Sequence, residues 1–445
     1  MKYFGTDGIR GEYGVVLTNE LIEKIAYSVV RVLNKNDKVV LGYDSRESSL
    51  EIKQKFINIL TANNIDVINL GMIPTPHVSL MVKNLNANLG IMISASHNPY
   101  YDNGIKIFGP NGIKISDELE LKIENHIDND DFIDLNQKTT QTETNYDSYN
   151  DYYELVKKIT TDLSGVNIYL DCANGASSYL APKIFHELNA NVNVMANEPD
   201  GKNINDEVGA LYPENLAQKI AQGNYDCGFC YDGDADRIIV ITPKGNILTG
   251  DHIIYLIAKE MKKLNELKNN EVVITIMSNL GLKKELSKLN IKQEITSVGD
   301  RFVIEKMEND HLNLGGEQSG HIILADYIPT GDGILTSIYI ANLIKQGINL
   351  DDIYNEMEIF PQKLVNLKVN NKEKIMENEE LKNLINQVEL ELNDNGHVLI
   401  RPSGTEELIR VMIEANQEEI IDKYMKIFID LIEKLNKKEK LCLDL

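Results

Sequence analysis

Positive charge is what this chain lacks. Its 445 residues carry 45 lysines and arginines against 68 aspartates and glutamates, a formal net charge of −23. Such a surface repels nucleic acid and acidic membranes, so any anionic ligand has to be met by a local pocket of cations. Arginine is scarcer still, at seven against 38 lysines, as though it survived only where lysine would not serve. Six of the seven, Arg10, Arg46, Arg237, Arg301, Arg401 and Arg410, lie in or beside Gly-, Ser- or Asp-rich loop sequences, and only Arg31 sits in a helical pattern. A rigid planar fork binds phosphate or carboxylate bidentately, which lysine cannot copy. Several phosphate or carboxylate contacts on loops are therefore expected.

Cysteine is also sparse. Cys172, Cys227, Cys230 and Cys442 are too few and too unevenly spaced for a disulfide framework, which fits a reducing compartment. Cys227-Gly-Phe-Cys230 spells C-x-x-C, but no second pair accompanies it and it lies in an apolar strand-like run, so buried structural thiols are expected. No long apolar stretch occurs, and Met1 to Gly11 has no signal-peptide core; a soluble, cytoplasmic protein is expected, with no membrane partner. Neither G-x-x-x-x-G-K-[ST] nor G-x-G-x-x-G is present, so ATP is not implied.

What the chain does have is Tyr231-Asp-Gly-Asp-Ala-Asp-Arg237, with carboxylates at every second position and Gly233 free to bend the chain so that Asp232, Asp234 and Asp236 converge. Such a cluster repels itself unless a cation sits in it, and three carboxylates suit a hard divalent ion such as Mg2+ or Ca2+ rather than zinc or copper. An EF-hand is excluded, because its sixth and twelfth positions would be Arg237 and Pro243. An acidic solvent-facing turn is the bland alternative.

A second loop, Ser94-Ala-Ser-His-Asn-Pro99, follows apolar Leu89-Gly-Ile-Met-Ile93. Ser96 beside His97 resembles hydrolase chemistry, but sequence neighbours usually point apart, and no G-x-S-x-G elbow exists. An Asn-Pro turn with capping serines is the structural alternative. A serine carrying phosphate would instead be a fourth metal ligand, the metal neutralising charge on the transferred group. Gly315-Gly-Glu-Gln-Ser-Gly-His321 sets a carboxylate, an amide, a hydroxyl and an imidazole between glycines, groups that suit sugar hydroxyls or a plain polar turn. Arg401-Pro-Ser-Gly-Thr-Glu406, with Arg410 just beyond, has the composition of a phosphate cradle.

A strand, turn, helix, strand pattern recurs three times, at 39–70, 166–195 and 271–296. The expected class is α/β, with three tandem domains of similar βαβ topology at 1–150, 151–250 and 251–362 and a smaller α+β domain at 363–445. The polar stretch 128–150 is expected to separate the first two, and a long helix from Gln417 to end the chain.

In this order, Tyr3-Phe-Gly-Thr-Asp-Gly-Ile-Arg-Gly11, Ser94 to Pro99, Asp232 to Arg237, Gly316 to His321 and Arg401 to Glu406 resemble the α-D-phosphohexomutase superfamily, and most nearly its bacterial branch acting on glucosamine phosphates. The resemblance implies four domains in a heart shape around a central cleft. It implies a phosphoserine at Ser96, and one Mg2+ per subunit held by Asp232, Asp234, Asp236 and that phosphate. Glu317 and Ser319 would bind sugar hydroxyls, while Arg401, Ser403, Gly404, Thr405 and Arg410 would bind the distal phosphate. Arg10, His97, Lys106, Arg237, Arg301 and His321 would line the cleft, with Lys106 and Arg10 transferring protons or stabilising charge. The implied reaction interconverts glucosamine 6-phosphate and glucosamine 1-phosphate through a 1,6-bisphosphate, which also serves as activator; a homodimer is implied too. The alternatives are a phosphomannomutase/phosphoglucomutase of the same fold and a non-catalytic sugar-phosphate sensor. One departure is Glu407, where the superfamily usually has proline.

Overall fold

The computed structural model describes residues 2–5, 7–129, 143–403 and 407–443, with side chains up to residue 437. Its contacts divide the chain into two compact units, residues 1–278 with 286–356, and residues 279–285 with 357–445.

The first unit holds three sheets. The first sheet has six strands in the order Ile9–Glu12, Asp102–Phe108, Leu89–Ile93, Lys38–Tyr43, Asp66–Met72 and Glu143–Asn145. The second runs Ile247–Leu248, Ile238–Ile241, Cys227–Tyr231, Asn167–Asp171, Asn191–Met195, and the third Lys292–Thr296, Glu271–Thr275, Leu314–Gly316, Ile322–Leu324. In each, the two strands expected from the recurring pattern pair in parallel, with a helix between them at Glu47–Ala62, Leu180–Glu187 or Leu280–Lys288. Each sheet also carries antiparallel strands towards one side, so the sheets are mixed. Near-continuous apolar strands such as Leu89–Ile93 and Cys227–Tyr231 are buried throughout, as strands covered on both faces must be.

The polar stretch between the first two sheets is not wholly a linker. Glu143–Asn145 pairs in parallel with Asp66–Met72, because Asn69 Nδ2 donates to Glu143 (2.6 Å) and to Asn145 Oδ1 (3.2 Å). Polar side chains thus hold an exposed edge that hydrophobic pattern alone does not reveal.

The second unit is built on an antiparallel sheet in the order Gln362–Lys368, Leu408–Ala415, Gly396–Pro402. Helices Glu379–Leu392 and Glu418–Leu443 supply Leu381, Val388, Ile421, Phe428 and Ile432 to its core. This matches the smaller α+β domain. No helix among the described residues is long and apolar enough to cross a membrane.

Loops leave the carboxyl ends of the parallel strands, the usual place for a site in such sheets, and backbone bonds lock them together. Ile238 N donates to Gly320 O at 3.0 Å, and Gly250 N to Gln318 O at 3.0 Å. Gly320 has φ +92, and a Cβ there would lie 2.1 Å from Ile238 O. We expect Gly320→Ala to lose about 1–3 kcal/mol from backbone strain, read as a lower urea midpoint; an unchanged midpoint would show that the loops are not locked.

Candidate active site

Ser96 follows the strand Leu89–Ile93 and has φ +54, a left-handed conformation that costs a residue with a Cβ. Its surroundings enforce it. Ser96 N–H donates to Ser94 Oγ (2.9 Å), which itself donates to Asp44 Oδ2 (2.7 Å). The Ser96 carbonyl accepts from Arg46 Nη2 and from Asn205 Nδ2, both at 2.9 Å. Held in this way, the buried Ser96 Oγ donates to Asp232 Oδ2 at 2.6 Å.

His97 Nδ1 lies 3.4 Å from the same hydroxyl, at the long limit of a hydrogen bond. Burial, aided by Arg237 and Arg10, pushes its pKa down to about 4. The imidazole is neutral, and the serine proton is directed at Asp232, which is not the arrangement of a serine hydrolase.

Asp232, Asp234 and Asp236 are all buried, and one oxygen from each lies within 4.8 Å of the others. Gly233 serves closeness rather than bending: a Cβ there would stand 2.6 Å from Ser96 O and 2.8 Å from Asn205 Nδ2. Burial and mutual repulsion raise the Asp232 pKa to about 7. At Asp234 and Asp236 burial is outweighed by Lys106, which holds both below the usual range. The buried Lys106 ammonium bonds Asp234 Oδ2 at 2.7 Å and Asp236 Oδ2 at 3.0 Å, and lies 3.1 Å from Asp7 Oδ2. Burial opposes its charge, but Asp234 and Asp236 raise its pKa overall. Asp234 Oδ1 and Asp236 Oδ1 are left buried with no hydrogen-bond partner. Two orphaned carboxylate oxygens in an all-oxygen set fit a hard divalent ion.

Arg10 pairs with Asp7, and the Arg237 N–H donates to Asp232 Oδ1 at 3.1 Å. The Nε atoms of both arginines are buried without a partner. Burial lowers the Arg10 pKa, whereas at Arg237 the acids Asp232, Asp236 and Glu317 outweigh burial and raise it.

In the loop after Leu314–Gly316, Glu317 Oε1 accepts from Gly299 N at 2.9 Å, and Ser319 is exposed. His321 is buried, 3.8 Å from both Asp236 Oδ1 and Asp300 Oδ2. Gly331 N–H lies 3.1 Å from its Nε2; burial opposes charge on the ring, but Asp236, Asp300 and Glu317 raise its pKa overall.

Arg301 departs from expectation. Its guanidinium pairs with Asp117, Glu120 (3.2 Å) and Glu305 (3.1 Å), so it is committed to carboxylates rather than presented to an anion. Arg46 differs too. Its guanidinium bonds Asp44 Oδ2 (2.8 Å) and otherwise donates to backbone carbonyls.

Sequence reasoning did not find Thr75, Lys114, Asn205 or Asp300. Thr75 N donates to Asp234 O at 3.0 Å and its hydroxyl donates to Asp234 Oδ2. Lys114 bridges Asp7 and Asp300, the latter at 2.5 Å. Asp332 was also missed. It caps the helix Gly333–Lys345 by accepting from Leu335 N (2.9 Å), and accepts from Tyr152 Oη at 2.8 Å. Asp7, which meets Lys106 and Lys114, did have a signal, its place in the glycine-rich run Tyr3 to Gly11.

In the second unit, Arg401 and Arg410 face each other across adjacent antiparallel strands. Like charges directly opposite destabilise a sheet, and among the described residues no carboxylate pairs with either. Burial and then Arg410 lower the Arg401 pKa, so an anion there would relieve both costs. Ser403 is buried beside them on a backbone bond to Leu408 O (2.9 Å), while Gly404 and Thr405 lie outside the described residues. Glu407 is turned to Lys372, 3.5 Å away.

A hydroxyl fixed against three carboxylates, with buried cations around it, has the means to take up and give back a phosphoryl group; this is the site of a phosphotransferase. Models of the phosphoglucomutase/phosphomannomutase family match in sequence, α/β/α domain I at residues 1–134, domain II at 147–245, domain III at 249–360 and the C-terminal domain at 364–431. The chain belongs to this family. It is 45% identical over 443 residues to a phosphoglucosamine mutase of Halalkalibacterium halodurans, covering 97% of this chain and 98% of the relative. It is 44% identical, with the same coverage, to one from Bacillus cereus. Among solved structures, a phosphoglucomutase/phosphomannomutase family protein of Burkholderia thailandensis superposes with a TM-score of 0.78 at 22% identity, over 96% of this chain and 97% of that one. Aspergillus fumigatus N-acetylphosphoglucosamine mutase, solved with GlcNAc-6P and magnesium, gives 0.64 at 16% identity, over 98% and 96%. At these identities the structures speak for the fold.

The Thr75 hydroxyl orients a carboxylate in the acidic cluster suited to a metal ion. Removing such an outer partner typically costs about 10- to 100-fold in metal affinity. Thr75→Val should therefore weaken Mg2+ binding by that factor in calorimetry, and equal affinity would remove Thr75 from the site.

Proposed function

We propose that the protein interconverts glucosamine 6-phosphate and glucosamine 1-phosphate, with Ser96 carrying the phosphoryl group between half-reactions. The observation that carries the phosphoryl-transfer reading is the Ser96 hydroxyl, buried and 2.6 Å from Asp232 in the carboxylate cluster. The choice of amino sugar rests on the 44–45% identity to bacterial phosphoglucosamine mutases over nearly the whole chain.

In the forward direction the sugar O1 hydroxyl attacks the phosphorus of phospho-Ser96, the Oγ–P bond breaks, the O1 proton ends on Oγ, and a 1,6-bisphosphate forms. After the bisphosphate turns, the Ser96 Oγ attacks the phosphorus on O6, which releases the 1-phosphate and restores the phosphoenzyme. Mg2+ held by Asp232, Asp234, Asp236 and the Ser96 phosphate would supply Lewis-acid stabilisation of charge on the group in transfer. Lys106, bonded to Asp234 and Asp236, stabilises charge or moves a proton at the reacting group. Arg10 and Arg237 add positive charge, and the neutral His97 a hydrogen-bonding group. Glu317, Ser319 and His321 address the sugar, and Arg401, Ser403 and Arg410, with Gly404 and Thr405, its phosphate. The serine, metal, sugar and phosphate loops then belong to domains 1–150, 151–250, 251–362 and 363–445. Activation by hexose or hexosamine 1,6-bisphosphate follows, since it rephosphorylates an enzyme that has lost its phosphate.

The wild type should show a single phosphate by mass spectrometry; Ser96→Ala should fold normally, lack that phosphate, and lose nearly all turnover. Near-normal turnover would sink the mechanism. Parallel assays on glucosamine, glucose and mannose 1-phosphates decide the sugar, and a preference for either hexose would replace the amino-sugar assignment.

The same cradle must hold both monophosphates, so Arg401→Lys should weaken both directions together. Loss of a bidentate charge-assisted pair costs about 1.5–3 kcal/mol, so KM should rise roughly tenfold to a hundredfold for each substrate. An unchanged KM would make Arg401 structural.

A further inference from the structure

The loop that carries Ser96 is gripped from two sides on the same atoms. Arg46, whose side chain is fully buried, reaches the Ser96 carbonyl at 2.9 Å and the Asn98 carbonyl at 2.8 Å through Nη2. Through Nη1 it reaches the carbonyls of Pro99 and Asp102, the latter at 3.0 Å. Asn205, from a segment beyond the second sheet's parallel strand pair, bonds the Ser96 carbonyl at 2.9 Å and the Asn98 carbonyl at 3.1 Å. The two gripping segments are themselves tied to neighbouring loops: Ser45 Oγ donates to Asn174 O at 2.6 Å, Glu47 N to Gly201 O at 3.0 Å, and Asn205 N to Ala173 O at 2.9 Å. None of these bonds involves the Ser96 hydroxyl.

We infer that Arg46 and Asn205 are positioning residues that hold the Ser96 backbone in one left-handed shape whether or not its hydroxyl carries phosphate. The inference rests on the phosphoserine reading above. A phosphoryl group changes the charge at Oγ by nearly two units at neutral pH, and a loop held through its hydroxyl would lose its anchor at each half-reaction. A grip confined to carbonyls is indifferent to that change. It also explains why arginine stands at position 46 in a chain that otherwise prefers lysine, since one ammonium cannot span four carbonyls and a carboxylate.

The experiment compares Arg46→Lys, Asn205→Gly and the double variant with the wild type. Glycine is chosen at 205 because Asn205 has φ +58, so the amide is removed without adding strain. Misplacement of a reacting group by about 1 Å costs up to roughly a hundredfold. Each single variant should accordingly lower kcat about 10- to 100-fold while KM for the sugar phosphate stays within about twofold. The double variant should fall short of the product of the two losses, because both side chains serve the same pair of carbonyls. If Arg46→Lys does not fold, Asn205→Gly decides alone. A folded variant with wild-type kcat, or one whose loss lies wholly in KM, overturns the proposal. Wild-type enzyme that turns over with no phosphate ever present on Ser96 refutes the phosphoserine reading, and the proposal with it; variants that keep phosphate on Ser96 and full kcat refute the positioning role alone.

Discussion

Three carboxylates enclosed within a few ångströms of one another cannot persist without compensation, and much of the surrounding structure answers that constraint. Lys106 lies fully inside the protein against two of them, and the Arg237 guanidinium, its pKa raised first by Asp232, answers the third, to which its backbone N–H also donates. Stripping either cation of its partners would leave an uncompensated internal charge, which typically costs about 3–5 kcal/mol. The charges at Asp7, Lys114 and Asp300 extend the alternation outward, so opposite signs follow one another from the cluster towards His321.

The same cluster explains the close backbone approaches. Gly175 and Gly233 pack so tightly that a Cβ at Gly175 would sit 2.3 Å from Gly233 O. Gly333, next to the capping Asp332, stands where a Cβ would lie 2.5 Å from Arg237 O. Loops brought this near need their charged side chains paired, and the paired side chains in turn fix the loops.

The recurring strand and helix units were legible because each is local, an apolar strand followed by a turn and an amphipathic helix, and their parallel pairing followed. The antiparallel additions were less so, since nothing in Glu143–Asn145 reads as a strand before Asn69 is placed beside it. At the site, motif residues could be named because glycine, serine and aspartate cluster in short runs. Thr75, Lys114 and Asn205 could not, for each contributes one side chain from an ordinary segment, and only folding brings it to Asp234, Asp7 or Ser96. The scarcity of arginine pointed to special positions, as Arg10, Arg237, Arg401 and Arg410 occupy. It could not say what each fork grips: Arg46 took one carboxylate and four backbone carbonyls, and Arg301 took acids alone. Cys227 and Cys230 are buried in one strand, with burial raising both thiol pKa values, as their apolar context implied.

The contrast between an acidic whole and a few guanidiniums without carboxylate partners has a kinetic side. An anionic sugar phosphate approaching a molecule with a net charge of −23 meets repulsion at long range and attraction only near Arg401 and Arg410 or the cations around Ser96. Salt screens the distant interaction more fully than the near and partly enclosed one. Moderate ionic strength should therefore speed capture of the substrate, the reverse of the usual electrostatically steered encounter, and the salt around the molecule becomes part of how this chain gathers an anion.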